Sequence, residues 1–157
     1  MKRVLLTLAI TVLGGSLLSS NPAIAQLLPP AAKAAHVRII QGPELELASD
    51  YLTIIRWTTN NPGGSDEHVG VVHYGTDPKN LSQTAKSHIR LNRGHPYTVF
   101  RVRMDGLKPK TTYYYKVSSI ESNGKSDGEE SSVNRFTVPG PGQVIADSPP
   151  QPVPKPK

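Results

Sequence analysis

The fold is decided by the stretch Leu107-Lys108-Pro109-Lys110-Thr111-Thr112-Tyr113-Tyr114-Tyr115-Lys116-Val117. A proline-centred turn is followed by an alternating segment, in which Tyr113, Tyr115 and Val117 share one face of a strand and Tyr114 lies on the other. This order of residues predicts the corner at which a chain enters a β-sandwich. The stretch indicates architecture and carries no chemistry of its own.

The N-terminus has the three-part order of a secretory signal. Lys2-Arg3 precede the apolar run Val4–Leu13, and small residues end in Ala23-Ile24-Ala25, so we expect a signal peptide at residues 1–25, cleaved before Gln26. The alternative is a membrane anchor, but Gly14-Gly15-Ser16 interrupts the run well short of the roughly 20 residues that a span needs. We therefore expect a protein that is either secreted or located in the periplasm or cell envelope, with no transmembrane span after cleavage.

Composition narrows the classes of function. The chain has no cysteine, which excludes thiolate zinc sites, iron–sulfur clusters, cysteine nucleophiles and a lipoprotein anchor, and suits a bacterial envelope protein without disulfides. The formal net charge is +6, and without Lys2 and Arg3 it is +4, from 16 basic and 12 acidic residues. That mild excess favours anionic partners weakly and does not predict nucleic-acid binding, which needs a dense basic face.

Composition also divides the chain into segments. Residues 26–36 form a linker rich in proline and alanine, residues 37–138 form the globular domain, and residues 139–157 form a proline-rich tail. The tail lacks apolar periodicity, so we expect it to be disordered with polyproline II character.

The globular part alternates short strand patterns with turn signals and has no long helical period. Seven strands are predicted, a number typical of a sandwich of about 100 residues. Their ranges are Val37–Gln41, Tyr51–Thr58, His68–Tyr74, Leu81–Ser87, Tyr97–Met104, Thr112–Ile120 and Val133–Val138. The first is expected to stop at Gly42-Pro43, and the fourth to be a short edge strand.

The chain resembles a fibronectin type III domain, an immunoglobulin-like sandwich, in Trp57 on the second strand and in the pattern Leu107-x-Pro109-x-Thr111-x-Tyr113. The resemblance implies that these five residues are structural: Trp57 between the sheets, and Tyr113 with its hydroxyl bonded back to the main chain. The segments Val37–Pro43, Ile55–Thr59, Val72–Thr76 and Arg135–Pro139 are more narrowly similar to the N-terminal domain of purple acid phosphatases.

The enzyme of that family lies in a separate metallophosphatase domain with motifs such as Gly-Asp-x-x-Tyr and Gly-Asn-His. Neither motif occurs here, and Gly94-His95 is followed by proline instead of the pattern Gly-His-x-His. There is also no Gly-x-Ser-x-Gly nucleophile elbow. We therefore expect no catalytic residues, no metal ligands, no cofactor and no enzymatic activity.

Two groups of polar residues are candidate sites. Metal sites use tight local pairs of histidines, whereas His68 and His73 would lie on opposite faces of a strand, so surface histidines are the expected interpretation. Asp127, Glu129 and Glu130 crowd one loop but lack the ligand spacing of a calcium loop. A solvated, flexible loop is expected there.

A third group consists of basic and aromatic side chains. Arg101 and Arg103 share the outward face of the fifth strand, and Arg56 is expected to join them across the sheet, because the second and fifth strands pair in type III sandwiches. With Tyr114, the exposed member of the tyrosine run, they form a candidate binding patch for an anionic glycan, a phospholipid head group or an acidic protein. The simpler interpretation, which we favour, is that the arginines keep a sheet face soluble.

The sequence thus predicts an exported, non-catalytic sandwich that acts as a binding or spacer module, a monomer whose partner is an envelope or extracellular protein or an anionic polysaccharide. The loops 60–67, 92–96 and 123–132 are the expected recognition surfaces. The alternative is an accessory or remnant domain of a purple acid phosphatase-like metallophosphatase system.

Overall fold

The computed structural model describes residues 32–62, 68–87, 89–91 and 94–154, and these ranges contain strands and no helix. Within these ranges ten strands are formed: β1 Ile39–Ala48, β2 Thr53–Thr59, β3 His68–Gly75, β4 Gln83–Lys86, β5 Ile89–Leu91, β6 Thr98–Met104, β7 Thr112–Glu121, β8 Asn134–Thr137, β9 Ile145–Ser148 and β10 Gln151–Pro152. The predicted all-β class is confirmed. All seven predicted strands are present, and β5, β9 and β10 are additional. The proposed signal peptide lies outside the described residues.

The strands form two five-stranded antiparallel sheets that pack as a sandwich. The first sheet has the order β5-β6-β2-β1-β9, and the second has the order β10-β8-β7-β3-β4. As predicted, β2 pairs with β6, and β4 is an edge strand. Strand β3 pairs with β7 along its whole length, from His68 opposite Glu121 to Gly75 opposite Tyr114.

The core lies between the two sheets. Trp57 of β2 is 1% exposed, and its ring centroid lies 5.2 Å from that of Phe100 on β6. The opposing sheet presents Gly70 to these rings, where a β-carbon would come within 2.8 Å of Phe100 and 2.9 Å of Trp57. Glycine at this position is therefore what allows the sheets to approach.

The corner predicted from the opening stretch is built from main-chain and side-chain hydrogen bonds. The Tyr113 hydroxyl accepts a bond from the Lys108 amide at 3.1 Å. The Lys110 amide donates to the Val138 carbonyl at 2.9 Å, and the Val138 amide donates to the Thr111 carbonyl at 3.0 Å. Lys110 itself has a φ of 55°, in the left-handed region that L-residues adopt at a cost.

Three of the five predicted structural residues are buried, namely Trp57, Leu107 and Tyr113. Pro109 is exposed and Thr111 is half-buried, so they belong to the turn and not to the core. The Thr111 hydroxyl donates to the Pro109 carbonyl at 3.2 Å. The motif therefore combines two buried anchors with a surface turn that sets their spacing.

The sequence pattern predicted that the first strand stops at Gly42-Pro43, and this prediction is wrong. Strand β1 continues to Ala48, with register shifts against β2 around these two residues. Gly42 has a φ of 82° and approaches the Arg56 carbonyl, where a β-carbon would lie at 2.9 Å. Proline is tolerated because a bulge interrupts the ladder there, and because β9 pairs only with Leu45, Leu47 and Ala48.

The expectation of a wholly disordered C-terminal tail is also corrected. Strand β9 pairs with β1, from Leu45 opposite Ser148 to Ala48 opposite Ile145. Strand β10 pairs with β8 through Gln151 opposite Arg135. Residues 143–152, hereafter the strap, thus cross from one sheet to the other. Side-chain periodicity does not reveal this segment, because main-chain hydrogen bonds to an edge strand are independent of side-chain pattern.

Replacing Tyr113 with phenylalanine removes the acceptor for the Lys108 amide without emptying the core. We expect the free energy of unfolding to fall by about 1–3 kcal/mol, the cost of a hydrogen bond lost at a part-buried site, as measured by denaturant titration. Tyr114→Phe, on the outward face of the same strand, is the matched control. Equal, near-zero effects of the two changes would contradict the role of the hydroxyl.

Replacing Lys110 with glycine should stabilise the protein. The left-handed φ costs an L-residue about 1–2 kcal/mol, which glycine avoids. Glycine also makes the unfolded chain more flexible, and this offsets about half of the gain in stability. We expect a net gain of about 0.5–1 kcal/mol, seen as a higher thermal midpoint. Lys108→Gly should lower the midpoint, because the φ of Lys108 lies outside the left-handed region; a fall in both variants would count against the strain.

Candidate functional site

The arginine group predicted on the first sheet is brought together by the strand register. Arg56 on β2 lies directly opposite Arg101 on β6, and Arg103 follows two residues later on the same face. The residues on either side of Arg56, Ile55 and Trp57, are buried in the core, whereas Arg56 itself is half-buried. The predicted alternation therefore places these side chains on one outward face.

Carboxylates from β1, which the sequence pattern had not placed there, lie beside these arginines. The Arg56 guanidinium is 2.7 Å from Glu44 and 3.8 Å from Glu46, and Arg101 binds Glu46 through both of its carboxylate oxygens. The hydrogen bond to Glu44 is the main cause that raises the pKa of Arg56. An anionic ligand would compete with these carboxylates, so the geometry favours the structural role of the arginines.

Of the other two members of the candidate patch, Arg103 lies on this face and Tyr114 does not. Arg103 is more than half exposed and pairs with Asp105 at 2.7 Å. Tyr114 belongs to β7 in the second sheet, opposite Arg135 and Gly75. It is half-buried and lies on the other side of the sandwich from Arg56. The structure therefore separates the predicted patch into two surfaces.

A buried polar cluster that the sequence had not indicated joins β3, β7 and the following loop. The side chains of His68 and Asp127 are 5% and 0% exposed, and His68 Nδ1 is bonded to Asp127 Oδ2. The Ser119 hydroxyl donates to the other oxygen of Asp127. The carboxylate therefore lies between the histidine and the serine. This order differs from a catalytic triad, in which the histidine lies between the other two.

This cluster corrects two expectations. His68 is a buried partner of Asp127 and not a surface histidine, although it does lie on the opposite face from His73. The loop is exposed to solvent, as expected, but it is also anchored, because Glu129 accepts a hydrogen bond from the Ile39 amide at 3.2 Å and Glu130 pairs with Lys116 at 2.6 Å. Local sequence patterns do not predict the pairing of His68 with Asp127, because the two residues are 59 positions apart in sequence.

Within the described residues, no group of three or more histidine and acidic side chains has a metal-binding arrangement. Among the other histidines, His95 packs against Tyr97 with ring centroids 5.3 Å apart, and His88 lies outside the described residues. The helix-free described part likewise has no helix that could cross a membrane.

An open groove lies at one end of the first sheet. It has a volume of about 420 Å³ and is lined by Ile40, Gln41, Thr58, Tyr97 and Val99. Ile40 is 58% exposed. The neighbouring loops 60–67 and 92–96 were predicted as recognition surfaces, but residues 63–67 and 92–93 lie outside the described ranges. The third predicted loop, 123–132, is the one anchored by Asp127.

The fold and the site together define a sandwich module of the fibronectin type, in which the recognisable sequence motifs are structural. The family model of the purple acid phosphatase N-terminal domain matches residues 44–138, more than half of the chain. The chain therefore belongs to this family, as the sequence pattern indicated, and no metallophosphatase domain is detected in it.

Comparison with solved structures found a similarity to the sensor domain of the anti-sigma factor RsgI4 from Pseudobacteroides cellulosolvens, in a long form of that domain. The TM-score is 0.44 and the sequence identity 17%, over 66% of this chain and 90% of that one. Comparison with curated protein sequences gave no match.

Replacing Asp127 with alanine should strongly destabilise the protein, because it leaves His68 and Ser119 buried without their shared partner. We expect a loss of about 3 kcal/mol of unfolding free energy, measured by denaturant titration. Glu130→Ala removes a carboxylate from the same loop, but its pair with Lys116 is exposed, so the loss should stay below about 1 kcal/mol. Similar losses in the two variants would contradict a special role for the buried cluster.

Proposed function

We propose that the chain is an exported, non-catalytic binding or spacer module that interacts with an envelope or extracellular partner. The observation that carries the proposal is the family match, which covers the sandwich alone. In this family the catalytic motifs belong to a different domain, and those motifs are missing from this sequence. A sandwich that presents loops and edges on a rigid core is well suited to recognition.

The surface chemistry supports a protein partner in preference to an anionic polysaccharide. An acidic polymer needs a run of free cations, whereas Arg56 and Arg101 are held by Glu44 and Glu46. The open groove at Ile40 and Tyr97 mixes apolar and polar groups. Such a mixture is typical of protein interfaces, in which aromatic residues are enriched.

A second candidate function follows from the same family match. The module serves as an accessory domain for a separately encoded metallophosphatase, or descends from one. In that case the sandwich contributes position and stability, and all metal chemistry belongs to the partner enzyme.

The absence of intrinsic activity can be measured directly on the mature chain. With a chromogenic phosphate ester and added iron, manganese or zinc, we expect no turnover above that of a heat-denatured sample. A contaminating phosphatase would separate on a second chromatographic step. Turnover that follows the protein through that step and is lost on chelation would overturn the non-catalytic proposal.

The two candidate functions are separated by a binding experiment. The mature chain is immobilised and offered the metallophosphatase encoded nearest to its gene, alongside an anionic polysaccharide and an envelope protein extract. Saturable binding of the phosphatase, with a change in its kcat or thermal midpoint, would favour the accessory role. Saturable binding of an envelope protein alone would favour the independent module.

A further inference from the structure

The strap closes the same side of both sheets in one continuous segment. Strand β9 extends the first sheet beyond β1, and β10 extends the second sheet beyond β8. Only two residues, Pro149 and Pro150, connect the two short strands. The strap therefore shields two edges that would otherwise offer unpaired main-chain groups to other strands.

The strap is attached mainly by its main chain. Ile145, Ala146 and Asp147 are exposed, as are both residues of β10. Ile145 lines a cavity of about 100 Å³ with Leu45 and Phe136, but it remains 38% exposed. The strap itself therefore buries few apolar side chains, and segments with few buried apolar contacts open at lower free energy than a core strand.

The closed position also carries backbone strain. Asp147 has a φ of 48°, in the region that costs an L-residue about 1–2 kcal/mol. The connection from β8 is the turn Pro139–Gly142, closed by a hydrogen bond from the Gln143 amide to the Gly140 carbonyl at 3.1 Å. If this turn opens, the six residues 139–144 span up to about 20 Å, enough to carry the strap away from its own edge.

We propose that the strap exchanges between two copies of the chain, so that β9 and β10 of one copy pair with β1 and β8 of the other. Each copy supplies both the donor segment and the acceptor edges, which makes the arrangement two-fold and self-complementary. Every strand pairing that the strap makes within one chain is retained between the two copies of the exchanged dimer, including Leu47 opposite Ala146.

A second copy is the partner best matched to these edges, because its strap has the sequence that the edges already accept. The Asp147 carboxylate lies 3.8 Å from Arg56, so the fit includes charge as well as register. In a single copy, the chain's own strap is tethered next to the edges at an effective concentration in the millimolar range, and the strap of a second copy must compete with it. Exchange is therefore favoured at high protein concentration, or where copies are held side by side.

The chain contains no cysteine, which permits a direct test in the full mature protein. Leu47→Cys and Ala146→Cys are made as separate variants with tags of different size, mixed at about millimolar concentration and oxidised. In such a mixture a disulfide between positions 47 and 146 can form only between copies. We expect this heterodimer on a non-reducing gel in clear excess over both homodimers.

Three controls make the outcome decisive. The double variant Leu47→Cys/Ala146→Cys, oxidised when dilute, shows whether the two positions can bridge within one chain. Adding Asp147→Pro to the Ala146→Cys variant should abolish the heterodimer, because proline cannot adopt a φ of 48°. Asp147→Gly accepts that φ freely and should preserve the heterodimer.

The proposal is overturned if the double variant bridges readily while the mixed single variants give no excess of heterodimer. Hydrogen exchange provides a second readout. If the hydrogen-exchange protection of residues 45–48 changes with protein concentration and no heterodimer forms, the β1 edge pairs with a strand other than the strap. Strap exchange is then excluded. Either result leaves the non-catalytic function untouched, since that rests on the phosphate-ester assay.

Discussion

The contact of Trp57 and Phe100 with Gly70 is the constraint on which the rest of the structure depends. Two large rings from the first sheet fill the space that a missing side chain leaves in the second, where a β-carbon would come within 3 Å of both rings. A domain without cysteine has no disulfide to hold it together and depends on such packing for its stability. The close approach of the two sheets at this point follows from this contact.

Around this core the sandwich is completed by long-range polar pairs. The Tyr113 hydroxyl fixes the turn before β7, and Asp127 fixes the loop after it by joining His68 to Ser119. Glu44 and Glu46 hold the arginines of the neighbouring strands. These pairs therefore engage charged side chains of one element with those of another.

The fold could be predicted well and the candidate surfaces only in part. Trp57, Leu107 and Tyr113 were recognisable because alternation and turn chemistry are local properties of the chain. The arginine stripe was placed correctly by strand pairing, but its neutralisation was missed, since a stop at Gly42-Pro43 leaves Glu44 and Glu46 outside any strand. The buried pair of His68 and Asp127 spans 59 positions in sequence, a distance over which local patterns carry no information.

The sequence by itself determined the class of fold, the existence and order of seven strands, the buried aromatic anchors and the family. These features depend on period-two alternation and on the short-range preferences of proline, glycine and tyrosine. Only the tertiary structure decided that β1 continues through its proline, that the side chain of Asp127 is buried, and that the proline-rich segment closes both sheets as a strap. Each of these depends on which main-chain and charged groups, distant in sequence, are still unpaired after the core has formed. Which groups these are is decided only when the sheets assemble.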